Sequence, residues 1–373
     1  MQKPLKPEQR VGLLTLPLND NYGGMLQIVA LYNVLQREGW EPVLFRSAPR
    51  RSLLQRALAA LLRSIPAQNV RGLREREMNR RTHAPFLKRY LPETTALLRS
   101  SARLSQEVER RRLAAFVVGS DQVWRPDYAR YGGNPLTYFL DFVGDEVAKI
   151  SYAASFGRSQ WRDHELTDQV SDLLARFEQV TVREETGKRI CDETFGREDA
   201  QLVLDPTLLM PAEFYQGMMP AAPSEVAPRV TKYVLDTTPV LEDLETQALA
   251  RLGPQAVTRE ILLGKAGHRV TVGEWLRAFH DADFIITDSF HGMAFSILFQ
   301  KQFAVLINNG RGADRFHSLA SQLGLEDRLI PSQGPAHLPK EPIDYGSVNT
   351  RLDTRRAASM ALLRQGLAHS SPH

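Results

Sequence analysis

What most constrains this chain is a recurring pair of patterns. A short apolar run ends in polar or glycine residues, and apolar residues at helical spacing follow it. Val11 to Leu16 is the first run, and Leu26, Val29, Ala30, Asn33 and Val34 then recur at helical intervals up to Gly39. Pro42-Val-Leu-Phe-Arg46 predicts the next strand, so the chain opens with a β-α-β unit. Further strands are expected at Ala115–Gly119, Lys149–Ser155, Gln179–Arg183 and Gln201–Asp205, with helices over 163–178 and 185–193. Strands of this kind, apolar throughout and separated by helices, build a parallel sheet covered on both faces. Such a sheet presents its loops to ligand at the carboxyl edge.

The alternation then pauses. Pro211 to Pro228 holds four of the 22 prolines and reads as a linker. Beyond it, strands are expected at Lys232–Asp236, Asp283–Thr287 and Phe303–Ile307, helices over 240–252, 272–280, 290–299 and 314–323, and a long Arg-bearing helix from 347 to 368. The expected fold is α/β, with two Rossmann-like domains facing a cleft and a C-terminal helix. The N-terminal domain is expected to span 1–215 and the C-terminal domain, with its helix, 226–373. A length of 373 residues suits two cores.

Charge is unevenly spread. The chain carries a net +4, but the stretch Arg37 to Arg112 alone carries +11, leaving −7 for the rest. Such a block points to an anionic partner or to a solvated face. Residues 48–112 read as a basic helical insertion. Within it, Arg51 to Arg63 is an amphipathic helix that suits packing on its own domain or lying on anionic lipid. No apolar run reaches the roughly 18–20 residues of a membrane span. The first ten residues lack a secretory h-region, so a cytoplasmic location is expected. The single cysteine, Cys191, excludes an internal disulfide and a cysteine-built zinc site. No metal is expected.

Chemistry-bearing residues collect where strands end. In Thr287-Asp-Ser-Phe-His-Gly292, Ser289 is a natural N-cap, and the free N–H groups behind it suit an anion. Phe290 and His291 fall in the first turn beside that position, where an imidazole can exchange protons near neutral pH. A capping serine and a packed histidine are the plainer alternative. Arg183 closes a strand, free to grip a phosphate or carboxylate in two-point fashion or to pair with Glu184 or Glu185. Arg311 and Arg315 follow the 303–307 strand, and either can reach an anion. Ser120, Asp121, Gln122 and Trp124 offer the hydroxyl, carboxylate, amide and indole that suit a sugar, unless the loop is capped by Ser120 and the indole buried. The loop Asn19–Gly24 is glycine-rich but has neither a P-loop nor a G-x-G-x-x-G pattern. No G-x-S-x-G elbow is present.

Taken in order, Asn-Tyr-Gly-Gly-Met-Leu-Gln27, Gly-Ser-Asp-Gln-Val-Trp124, Ser-Tyr-Ala-Ala-Ser-Phe-Gly157, Val-Arg-Glu184, Asp-Pro-Thr207, Asp-Ser-Phe-His-Gly292 and Arg-Phe316 resemble the polysaccharide pyruvyl transferase family. The resemblance spans about residues 11 to 330. It implies a GT-B-like domain pair and transfer of pyruvate from phosphoenolpyruvate onto two sugar hydroxyls as a ketal. It makes His291 the cleft histidine and Arg183 and Arg315 the phosphoenolpyruvate anchors. Asn21, Tyr22, Gly23, Gly24, Gln27 and Asp205 join Ser120, Asp121, Gln122, Trp124, Ser289, Phe290 and Arg311 as expected substrate contacts.

The acceptor implied is a glycan or lipid-linked sugar of a cell-surface polysaccharide. No cofactor is expected beyond the donor, and no nucleic acid partner. Reversible contact with an anionic membrane through residues 37–112 is a further expectation. A nucleotide-sugar glycosyltransferase and a non-catalytic glycan-binding protein are the rival readings.

Overall fold

A computed structural model describes residues 9–18, 21–48, 71–130, 134–221, 228–236, 238–261, 270–307 and 312–368, with backbone alone for 71–80 and 129–130. The strands are β1 (Arg10–Leu14), β2 (Glu41–Ser47), β3 (Thr94–Leu98), β4 (Ala115–Asp121), β5 (Ala148–Ala154), β6 (Thr181–Val182), β7 (Gln201–Leu202), β8 (Arg229–Tyr233), β9 (Val257–Glu260), β10 (Phe284–Thr287), β11 (Gln302–Ile307) and β12 (Leu329–Pro331). The helices are α1 (Tyr22–Arg37), α2 (Arg71–Tyr90), α3 (Ser101–Arg111), α4 (Pro126–Arg130), α5 (Thr167–Ala175), α6 (Glu185–Phe195), α7 (Ala212–Gln216), α8 (Pro239–Leu252), α9 (Val272–His280), α10 (Phe290–Leu298), α11 (Asp314–Leu323) and α12 (Tyr345–Ala368).

Two all-parallel sheets result. The first runs β3-β2-β1-β4-β5-β6-β7 and the second β12-β11-β10-β8-β9. The central strands are buried on both faces, which is why β1, β4 and β10 read as unbroken apolar runs. The first order is that of a doubly wound dinucleotide-type sheet, and the second is the flavodoxin-like order. In both, the strand order reverses at one point and opens a crevice at the carboxyl edge. That point lies between β1 and β4 in the first sheet and between β8 and β10 in the second. The α/β class, the parallel sheets and the terminal helix are as the sequence predicts.

In the second sheet, β9 and β12 are strands that the apolar runs do not predict, and the strand expected at Lys232–Asp236 runs Arg229–Tyr233. Three further features differ. The basic stretch 48–112 is not wholly helical, because Thr94–Leu98 forms edge strand β3 paired with β2. The segment 211–228 is not simply a linker, because it contains α7, whose Tyr215 is fully buried and donates to the Thr207 carbonyl at 2.9 Å. The terminal helix, assigned by sequence to the second domain, crosses back to the first sheet. Ser359 Oγ accepts from the Leu204 N–H at 3.0 Å, and Arg356 Nε donates to the Leu208 carbonyl at 2.8 Å. Gly366 lets this helix approach β5 and the residue bridged to it, since a Cβ there would stand 3.4 Å from Ile150 Cγ1 and 2.9 Å from the Gln179 Cβ. The segment Arg51–Arg63, the middle of the expected linker and Arg311 lie outside the described residues.

One apolar cluster joins α1, β1 and β5 of the first sheet to α9, α10 and α11 of the second and to α12. A second lies under the other face of the first sheet, around Phe116, Trp124, Phe139, Phe156 and Phe177. Cys191 belongs to this second cluster, and burial pushes its thiol up to about 12. At pH 8 the native protein should therefore resist iodoacetamide, because thiolate is the reacting form. Alkylation, followed by mass, should appear only as denaturant unfolds the chain.

Candidate active site

The site forms where the carboxyl ends of β4, β6 and β7 meet the first turns of α1, α10 and α11. Its centre is Asp205, which has no exposed side-chain surface. Oδ1 accepts from Thr207 N–H at 3.0 Å and Thr207 Oγ1 at 2.7 Å. Oδ2 accepts from Ser120 Oγ at 3.1 Å and Arg183 Nη1 at 2.9 Å, and His291 Nε2 stands 3.7 Å away. Burial alone would raise the Asp205 carboxyl. His291 first, then Arg183 and Thr207, outweigh it and hold the group well below the usual carboxylate range.

Arg183 is also buried. Its Nη2 is 3.6 Å from Asp121 and its Nε 4.0 Å from Glu184, both beyond hydrogen bonding, so Nε and Nη2 have no hydrogen-bond partner. Phe290 lies against the guanidinium, with 4.5 Å from Cζ to the ring centroid. The same ring is 5.9 Å from Arg315, whose Nε is likewise buried without a partner. Burial, then the neighbouring charge of Arg183, bring Arg315 down to about 10. Glu184 Oε1 accepts from Ser155 Oγ at 2.7 Å and Phe156 N–H at 3.2 Å, and burial raises this carboxyl. Two guanidinium groups thus face one region with donors unpaired, next to an imidazole whose Nε2 also lacks a hydrogen-bond partner. A doubly charged small anion satisfies such a set.

His291 is carried by α10, but its ring rests on residues of the first sheet. Besides Asp205, it packs against Gly23 so closely that a Cβ there would lie 2.0 Å from Nδ1. Ser289 does cap α10, its Oγ accepting from Gly292 N–H at 3.4 Å. The Ser289 N–H itself donates to Thr287 Oγ1 at 3.1 Å.

Several residues expected to touch substrate do other work. Trp124 is fully buried, stacked on Phe139, and its indole N–H donates to the Tyr138 carbonyl at 3.1 Å. It is a core residue. Gln27, also fully buried, donates to Thr15 Oγ1 at 2.9 Å and accepts from Ser120 N–H at 3.1 Å, tying α1 to the end of β4. Tyr22 stacks on Trp275, and its hydroxyl donates to the Val270 carbonyl at 2.6 Å, bridging the two sheets' layers. Gly24 lies close to Asn21, where a Cβ would be 3.1 Å from Nδ2. Gln122 Oε1 accepts from Arg125 at 3.3 Å beneath Gly157, and Ser120 and Asp205 serve each other.

The fold does bring Arg183, Arg315, His291, Phe290, Asp121 and Asn21 together, with Asn21 Nδ2 donating to Asp121 at 3.5 Å. Asp121 adopts a left-handed φ of +75°, a strained conformation common at functional sites. Two supporting groups escape the sequence reading. Glu184 figures there only as a pairing partner of Arg183, and Ser155 only as a motif letter. Their relation depends on adjacent strand ends.

Residues 21–310 match the sequence profile of the polysaccharide pyruvyl transferases, and the chain belongs to that family. The family's members are transferases that act on polysaccharides. Among curated proteins none matches the chain in sequence. Solved structures of similar chain path include Arabidopsis thaliana UGT89C1 complexed with UDP-L-rhamnose, at 11% identity and TM-score 0.49, covering 97% of this chain and 99% of that one. A glycosyltransferase from Rickettsia africae is 8% identical with TM-score 0.49, covering 96% of each chain. The UDP-GlcNAc 2-epimerase of Neisseria meningitidis is 11% identical with TM-score 0.41, covering 97% and 96%.

Proposed function

We propose that this protein transfers pyruvate from phosphoenolpyruvate to two hydroxyls of one sugar, forming a ketal. The observation that supports it best is the pair of guanidinium groups, Arg183 and Arg315, with buried unpaired donors beside His291. Phosphoenolpyruvate carries a phosphate and a carboxylate, and its methylene carbon must gain a proton before its neighbour becomes electrophilic. In this reading the arginines hold the anionic groups, and His291, oriented by Asp205 and Gly23, delivers the proton. One sugar hydroxyl attacks the cationic carbon, the C–O bond to phosphate breaks, and the second hydroxyl closes the ketal. Of the two hydroxyl protons released, one restores His291 and the other leaves with phosphate. No metal or cofactor is assigned a part.

Asp121 and Asn21 at the end of the first sheet's crevice are the groups best placed for sugar hydroxyls. The test is incubation with phosphoenolpyruvate and candidate glycans, with the ketal read by mass. Transfer from a nucleotide sugar instead, or retention of glycan without transfer, refutes the reading. The acceptor belongs to a cell-surface polysaccharide or its lipid-linked precursor, and the basic stretch 37–112 holds the enzyme reversibly at an anionic membrane. Among the described residues no helix is long and apolar enough to cross a bilayer. Sedimentation with anionic vesicles at low salt and release at high salt is the expected result, each basic group near the surface contributing about 1 kcal/mol.

A further inference from the structure

With Trp124 in the core, the aromatic ring that a sugar would stack on must come from elsewhere. Tyr128, one turn beyond in α4, is 41% exposed, one of four large apolar side chains so exposed among the described residues. It is not a loose surface ring. The Arg125 guanidinium lies over it, 4.3 Å from Cζ to the ring centroid. That guanidinium is held in turn, with Nε donating to Asp127 at 3.0 Å and Nη1 to Gln122 at 3.3 Å. Asp127 also accepts from Arg158 Nη2 at 3.0 Å. A planar cation, itself held by Asp127 and Gln122, thus lies over the ring of a residue that remains 41% exposed.

The ring also lies on the correct side of the molecule. The Arg125 guanidinium that covers it reaches Gln122, the chain neighbour of Asp121, at 3.3 Å. Gly312, just before α11, approaches the Gly157 carbonyl so closely that a Cβ would stand 3.1 Å from it. Arg158, next in the chain, is the residue that steadies Asp127. The platform's supports therefore connect through Arg158, Gly157 and Gly312 to the segment that carries Arg315.

We infer that Tyr128 is the stacking platform for the acceptor sugar, an inference that rests on the transfer proposed above. The apolar C–H face of a hexose covers the free face of the ring, which leaves the hydroxyls at its edge directed towards the reacting centre. Tyr128 then touches acceptor but not phosphoenolpyruvate.

The test uses the full chain and a panel of methyl hexosides as acceptors, with the pyruvate ketal read by mass. Tyr128→Ala should raise the acceptor KM about tenfold, the scale of one aromatic contact. The KM for phosphoenolpyruvate and kcat at saturating acceptor should stay within about twofold, and Tyr128→Phe should behave as the parent. An unchanged acceptor KM in Tyr128→Ala overturns the inference, as does an equal rise in both KM values. Saturation-transfer NMR with the same hexosides and no phosphoenolpyruvate separates it from the transfer reading. Hexoside binding that Tyr128→Ala weakens about tenfold, in a protein that transfers no pyruvate, keeps the platform and removes the reaction. Transfer by a wild-type protein whose bound hexoside shows no dependence on Tyr128 does the reverse, and absence of hexoside binding by the wild type overturns the platform outright.

Discussion

Gly23→Ala should cost nearly as much turnover as His291→Ala, about 10²–10⁴-fold in kcat, the usual worth of a positioned proton donor. The added methyl would lie 2.0 Å from His291 Nδ1 and 2.2 Å from Cγ, separations that no packed pair of atoms tolerates. Either the imidazole leaves its place beside Asp205 or α1 and α10 separate. The ring is the softer element, because α1 is buried along most of its length. Thermal melting should shift little while turnover collapses. The decisive comparison is the double variant. In the absence of the ring, Gly23→Ala should add no further loss, whereas independent, multiplicative losses would show that the glycine does not act through His291.

Asp205→Asn should lower stability by about 3–5 kcal/mol, since one partner of a buried ion pair is removed and Arg183 keeps its charge. Asp121 and Glu184 stand 3.6 and 4.0 Å from that guanidinium and make no hydrogen bond to it. Turnover should fall as well, because the same carboxylate orients His291 and Arg183. The sign of the pH effect follows from the direction of the shift. Asp205 is held below its unfolded value of about 3.9, so its contribution is complete above that pH and is lost as pH falls towards the folded value. Urea midpoints measured from neutral to acid pH should drop in the wild type below about pH 4, and drop less steeply in Asp205→Asn. Parallel acid limbs would remove Asp205 from this role.

The outline of the fold was legible because buried parallel strands leave a local trace. Val11–Leu14, Ala115–Val118 and Phe284–Ile286 are apolar on both faces and bounded by helices, a pattern few other architectures produce. Strands β3, β9 and β12 were not legible. Thr94–Leu98 and Val257–Glu260 are edge strands, and Leu329–Pro331, also at an edge, is three residues long. None is apolar on both faces, and each exists because a neighbour's backbone needs a partner. The exchange of strand order between the two sheets left no local mark at all.

The candidate site divides in the same way. Sequence by itself determined that Arg183, His291 and Arg315 stand at or just beyond the carboxyl ends of strands, because a parallel sheet sends all those ends to one edge. It also determined that His291 opens a helix, through the capping Ser289. Only the tertiary structure decided that Trp124 turns into the core and that Asp205 gathers residues 120, 183, 207 and 291 around one carboxylate. It alone seats the imidazole of one layer on a glycine of the other. The physical reason is range. Capping, alternation and turn chemistry act over a few residues, whereas the direction of a side chain and the charge around a carboxylate depend on groups up to 171 positions away, the separation of Ser120 and His291, brought together when two sheets share a core.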